Sequence, residues 1–264
     1  MKKLFLFASV ALMAISCHRD NPVQQLSECG TIAVTASASG DVVTKTGEEA
    51  GITLETPLSA AFSLTIKGDE DSEVPEVAGF EQTWSSLSGY DPDEQYYTAG
   101  WYTVSIECGD ATEEGYNKPY FAASKHVQVL DRNRTVNVEL TATLGNAIVE
   151  VHTTENFRNY FPTREFKLTT ATNEFELTEG GSEEYLFIAA QSNVKIDCTC
   201  IRQANLAAGS KETLATQTIP TVSPKTRYKV TYDLTNIGNL AITISLDETI
   251  LETINISQEL NPNA

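Results

Sequence analysis

Along most of the chain, apolar side chains fall on every second position. Ile32, Val34, Ala36 and Ala38 alternate with small polar residues, and Phe62, Leu64 and Ile66 alternate with Ser63, Thr65 and Lys67. Tyr102, Val104, Ile106 and Cys108 repeat the pattern, as do Val136, Val138, Leu140 and Leu144. Successive side chains of a strand point to opposite faces, so this period predicts half-buried antiparallel strands. The second half predicts strands at 147–152, 165–170, 174–178, 184–188, 193–201, 213–219, 227–234, 240–246 and 249–257. Clusters such as Glu179-Gly180-Gly181-Ser182 and Thr235-Asn236-Ile237-Gly238-Asn239 supply turn chemistry between many of them. One segment fits a helix or a short turn equally: Thr153 to Phe161, with Phe157, Tyr160 and Phe161 at helical offsets. Many short strands with regular turns predict an all-β fold of two tandem antiparallel β-sandwich domains. Residues 29–145 form the first and 146–264 the second, with the join near Leu144-Gly145-Asn146.

The first residues break this pattern. Lys2 and Lys3 precede an apolar run from Leu4 to Ile15, then Ser16 and Cys17. A basic start, a short apolar run and a small residue describe an export signal, here residues 1–16. The run falls short of the roughly 20 apolar residues that a membrane-spanning helix needs. Ala14-Ile15-Ser16-Cys17 resembles the lipobox of bacterial lipoproteins, in which the cysteine is diacylated and becomes the first residue. That resemblance assigns lipidation to Cys17 and makes polar residues 17–28 a lipidated tether.

Charge narrows the partners. The chain carries 18 basic against 36 acidic residues, a net charge of −18, and Lys2 and Lys3 leave with the signal. Such a balance opposes nucleic acid and anionic lipid headgroups and favours a solvated surface. Four cysteines follow Cys17. Cys198 and Cys200 share one strand face with Val194 and Ile196, as small core side chains do. Cys29 precedes the first strand and Cys108 ends another, and spacing leaves a bridge between them open. The acidic stretches Asp69-Glu70-Asp71-Ser72-Glu73 and Asp91-Pro92-Asp93-Glu94 lack the fixed glycine and closing glutamate of a calcium loop. They read as solvated loops, and no metal or cofactor site is expected.

Catalytic patterns are missing. The chain has no G-x-S-x-G, H-E-x-x-H, P-loop or G-x-G-x-x-G motif. Of its three histidines, His18 lies beside the lipidated cysteine, while His126 and His152 fall in or beside strands. The expectation is that the protein is not an enzyme. Aromatics cluster at Trp84, Tyr90, Tyr96, Tyr97 and Trp101. Burial beneath long loops accounts for most of them, and Trp84 and Trp101 are the candidate ligand-contact rings.

Several stretches together carry a family resemblance. These are Ala99-Gly100-Trp101-Tyr102-Thr103-Val104 with Cys108-Gly109-Asp110, then Asn117-Lys118-Pro119-Tyr120-Phe121, then Leu144-Gly145-Asn146-Ala147-Ile148-Val149-Glu150-Val151 with Asn156-Phe157 and Asn159-Tyr160-Phe161. They resemble the fimbrillin-like surface lipoproteins of Bacteroides and relatives, whose two domains are transthyretin-like β-sandwiches of immunoglobulin-like build. The resemblance implies an outer-membrane, cell-surface lipoprotein with a structural or adhesive role, as pilus subunit, anchor or accessory protein. Pilins of this kind lose their first strand to a protease and accept a strand from the next subunit. The matching place here is the loop from Asp41 to Gly51, with Lys45 as the candidate processing residue where arginine is more familiar. His18-Arg19-Asp20 weakly matches the surface-export signal of these bacteria. Implied partners are the outer membrane through the lipid, fimbrial subunits by strand addition, and a host or glycan ligand. Two further readings stay open: a glycan-binding lipoprotein of a polysaccharide uptake system, and a structural lipoprotein facing the periplasm.

Overall fold

The structure is a computed structural model that describes residues 29–131, 134–179, 184–202, 211–237 and 239–255. The expected signal, Cys17 and the tether lie outside the described residues. The described residues begin with β1 (Cys29–Ala38), β2 (Asp41–Thr44), β3 (Glu49–Thr53) and β4 (Ser63–Gly68), then a one-turn helix α1 (Pro75–Ala78). There follow β5 (Glu81–Trp84), β6 (Tyr97–Thr98), β7 (Gly100–Cys108), β8 (Gly115–Tyr116), β9 (Phe121–Val129), β10 (Thr135–Leu144) and β11 (Ala147–Thr153). Helix α2 (Glu155–Tyr160) precedes β12 (Thr163–Thr169), β13 (Glu174–Leu177), β14 (Leu186–Ile188) and β15 (Val194–Ile201). Last come β16 (Lys211–Thr213), β17 (Gln217–Ile219), β18 (Thr226–Ile237), β19 (Asn239–Leu246) and β20 (Thr249–Asn255). The fold is all-β, as its periodicity predicts.

The described strands form three sheets. One runs β5-β4-β7-β9-β10-β1-β6, one β20-β19-β18-β11-β14-β8 with the β2–β3 hairpin attached at β18, and one β13-β12-β15-β16 with β17 also on β15. Packing divides the described chain into two compact units interleaved in sequence. The first takes 29–36, 63–105 and 124–140, and the second takes 37–62, 106–123 and 141–255. Strands β1, β7, β9 and β10 contribute to both, whereas the sequence pattern alone put a single join near Gly145.

In the first unit the inward positions are those the alternation marks: Ile32, Phe62's neighbours Leu64 and Ile66, Tyr102, Val104 and Val138. Tyr97 and Tyr102 add ring contacts at 5.6 Å in an edge-to-face arrangement. The second unit buries Phe157, Phe161, Phe166, Ile196, Cys198, Cys200 and Tyr232 in one cluster. Helix α2 forms because the Thr154 hydroxyl accepts from the Phe157 N–H at 3.3 Å, capping its first turn. That places Phe157 and Tyr160 inward.

Several ladders among the described residues depart from antiparallel pairing. Strand β1 runs parallel to β10, the Thr31 N–H donating to the Arg134 carbonyl and the Ser39 N–H to the Ala142 carbonyl, both at 2.9 Å. Strand β11 runs parallel to β18, Ile148 opposite Arg227 through Thr153 opposite Tyr232, and β2 also runs parallel to β18. The reason shows in β11 itself. Ala147, Ile148, Val149, Glu150 and Val151 are all buried, so this strand is covered on both faces and does not alternate.

Candidate functional site

The loop expected around Lys45 is a hairpin. Strand β2 pairs antiparallel with β3, Asp41 opposite Thr53 and Val43 opposite Glu49. The Thr44 N–H donates to the Glu48 carbonyl at 2.7 Å, and Gly47 closes the turn at φ +89°. A non-glycine residue adopts that conformation at a cost. Lys45 is exposed at the tip, and its N–H donates to Asp247 Oδ2 at 3.3 Å. Asp247 and Glu248 both have positive φ, the geometry of the two-residue turn joining β19 to β20.

A buried ion pair clips the hairpin down. Arg227 on β18 reaches Glu150 on β11 through two bonds, Nη2 to Oε2 at 2.7 Å and Nε to Oε1 at 3.2 Å. Its Nη1 donates to the Ala50 carbonyl of β3 at 2.9 Å. His152 Nε2 lies 2.8 Å from the same carboxylate. Only 6% of the Glu150 side chain is exposed. Burial works against its charge, but hydrogen bonds from His152 and Arg227, and the guanidinium's charge, outweigh it. The Glu150 carboxyl therefore sits below the ordinary glutamate value. Nothing in the sequence announced this clip, because its two ends lie 77 residues apart.

The two candidate ligand-contact tryptophans separate. Trp84 on β5 stands directly opposite Leu64 on β4, so the two share a face, and Leu64 is fully buried. Trp84 packs edge-on against Tyr90, ring centres 4.8 Å apart. Trp101 alternates with the buried Tyr102 and so points outward, 44% exposed. It stacks on His126 at 4.8 Å and 20°, and His126 Nε2 lies 2.8 Å from Asp69 Oδ1. These rings occupy opposite faces of one sheet. They cannot line a single contact surface, and Trp101 alone offers one.

Tyr90 and Tyr97, from the same aromatic cluster, are core side chains. The Tyr97 hydroxyl donates to that of Tyr90 at 3.2 Å, and Tyr90 donates to the Ile32 carbonyl of β1 at 2.5 Å. Burial pushes the Tyr90 phenol up to about 12. Cys198 and Cys200 are fully buried. The neighbouring Cys200 sulfur, and then burial, push the Cys198 thiol up. Cys108 is a free, half-buried thiol, so the Cys29–Cys108 bridge left open by spacing is not made. Among the described residues, no three His, Cys, Asp or Glu side chains gather as metal ligands. Several side chains of the acidic stretches have protein partners: Asp69 meets the distant His126, Glu70 pairs with Lys67 at 2.6 Å, and Asp91 accepts from the Asp93 N–H at 3.0 Å.

Sheets, interleaved packing and an outward aromatic platform define an all-β protein of two sandwich-like units. The chain belongs to the family described as Domain of unknown function (DUF4493), whose model matches residues 28–262. No curated protein matches it. Among solved structures it is similar to a candidate cell-adhesion protein of Bacteroides eggerthii, at 10% identity and TM-score 0.42, covering 85% of this chain and 97% of that one. A candidate adhesin of Bacteroides ovatus matches at 9% identity and TM-score 0.41, covering 92% and 99%. A fimbrial assembly protein of Parabacteroides distasonis matches at 6% identity and TM-score 0.40, covering 86% and 98%. At these scores the likeness bears on neither ligand nor partner.

Proposed function

We propose that the protein is a non-enzymatic lipoprotein, anchored in the outer membrane through Cys17 and displayed at the cell surface, with a structural or adhesive role in a fimbria. The observation that carries the reading is the placement of β1. This first strand lies between β10 and β6 in its sheet, and Lys45 follows it at the tip of an exposed hairpin. Cutting after Lys45 frees β1 and β2 together. The vacated edge of β10 then presents unpaired backbone groups to a strand from another subunit. Left uncut, the same chain serves as an anchor or accessory protein.

The test is direct. Purified chain is cleaved after Lys45 with a lysine-specific protease and compared with uncut chain by gel and electron microscopy. A ladder of oligomers from the cut form alone supports the subunit role. Cut protein that stays monomeric, in cells whose filaments lack the chain, removes that role. Loss of whole-cell antibody labelling would remove surface display altogether.

A second reading, glycan contact, is favoured by the outward Trp101 platform on His126 and Asp69. Flat exposed rings stack on sugar faces. Trp101→Ala should then weaken binding on a glycan array, while Trp84→Ala, on the opposite face, should change only stability.

A further inference from the structure

The second unit holds a cavity of about 580 Å³ that neither tryptophan touches. Its size falls within the range of small-ligand sites, about 300–1,000 Å³. The floor is apolar: Leu54, Phe121 and Phe187 are buried there, with Pro57, Pro119 and the half-buried ring of Tyr185 beside them. Leu58 stands at the rim, 80% exposed. Exposed polar side chains, Glu55, Thr56 and Asn117, complete the lining along with the half-buried Cys108 thiol.

Both walls are built before any ligand arrives. On one side, the Leu54 N–H donates to the Gly40 carbonyl at 2.9 Å, an approach so close that a Cβ on Gly40 would meet the Leu54 carbonyl at 2.1 Å. On the other, the Asn146 side chain, in a residue 1% exposed, accepts from the Tyr120 N–H and donates to the Lys118 carbonyl at 2.8 Å. Asn117 is locked at φ +57° while its N–H donates to the Tyr185 carbonyl at 3.1 Å. A non-glycine residue held in that region is strained, and such strain concentrates where ligands are clamped. Pre-formed walls also reduce the ordering cost of binding.

We propose that this cavity binds a neutral saccharide. A sugar ring offers an apolar C–H face for the Tyr185 and proline side and hydroxyls that both donate and accept. The lining asks for both: Glu55 only accepts, Asn117 and Thr56 do either. Among the described lining residues Glu55 is the one acidic or basic side chain, and a chain of net charge −18 repels acidic glycans and fatty carboxylates. The assignment deepens the adhesive reading by giving it a ligand and a place.

Cys108 serves as the reporter, since it lines the cavity and the other described cysteines are buried. The purified full chain is alkylated with iodoacetamide, and modification at Cys108 is followed by peptide mass spectrometry. Maltopentaose, xylopentaose, mannopentaose, chitopentaose and palmitate are added separately at about 10 mM, since carbohydrate sites often work near millimolar affinity. At least one neutral saccharide should slow Cys108 alkylation. Asn117→Ala should weaken that saccharide about tenfold in calorimetry, and chain already blocked at Cys108 with N-ethylmaleimide should not bind while keeping its melting temperature.

Protection by palmitate alone overturns the proposal, and so does the absence of protection by any saccharide. Saccharide binding indifferent to both the block and Asn117→Ala overturns it as well, moving the site elsewhere. Cell adhesion is scored separately. Adhesion that survives the Cys108 block defeats this site and leaves the adhesive role standing; saccharide binding by a chain that cells never display defeats the role and leaves the site.

Discussion

Replacing Arg227 with methionine tests how the hairpin bearing Lys45 is held. The guanidinium makes two bonds to a carboxylate whose side chain is 6% exposed and a third to the Ala50 carbonyl. Methionine keeps the stem and removes the charge. Glu150 is left buried with only His152 beside it, and stranding one member of a buried ion pair costs about 3–5 kcal/mol. A unit of this size loses about 2–4 °C per kcal/mol, so the melting temperature should fall by roughly 6–20 °C. Arg227→Met combined with Glu150→Leu removes both charges and should recover most of that loss, ending within about 1 kcal/mol of the native chain. The coupling in this double-mutant cycle should be at least about 2 kcal/mol. A further readout links the clip to processing. Losing the bond to Ala50 frees the hairpin by about 1 kcal/mol, which raises the open fraction, and tryptic cleavage at Lys45, about fivefold. The double variant should be cut equally fast, because it lacks the same bond. Additive single and double costs, or an unchanged Lys45 cleavage rate, would refute the clip.

Other expectations follow from single groups. Tyr90 is raised in the fold from 10.0 to about 12, so its contribution is full below pH 10 and fades as pH rises through about 12; the stability gap between native chain and Tyr90→Phe should close across that window in urea titrations. Glu150 is lowered from 4.5, so its contribution is full above that value and disappears as pH falls through the folded one; Glu150→Gln should flatten the acid limb of the melting curve. Glu114 accepts from Thr170 at 2.6 Å, Asn173 at 2.9 Å and Ser192 at 3.1 Å, and Glu114→Ala should lower the urea midpoint by the equivalent of about 2–3 kcal/mol without changing the slope. Gly109 sits at φ +94°, and a Cβ there would lie 2.5 Å from the Pro119 carbonyl, so Gly109→Ala should cost more than about 2 kcal/mol and open the cavity wall, seen as faster Cys108 alkylation.

Local pattern determined a good deal about this protein. Alternation at Phe166 and Leu168, and at Val194, Ile196, Cys198 and Cys200, fixed which face of β12 and β15 turns inward, and all six side chains are buried. It did so because a strand's period of two is a property of the backbone itself. The same reading put Thr153 to Phe161 at a helix or turn, where α2 now buries Phe157 and Tyr160. Partners across the sheet are another matter. That β11 lies parallel to β18, that Glu150 meets Arg227, and that Trp84 and Trp101 end on opposite faces all depend on register between distant segments. The cavity likewise brings 53–58 together with Cys108, Asn117 and Tyr185. No local period encodes such meetings, since they arise only when the whole set of strands finds a common packing, and tertiary structure alone decided them.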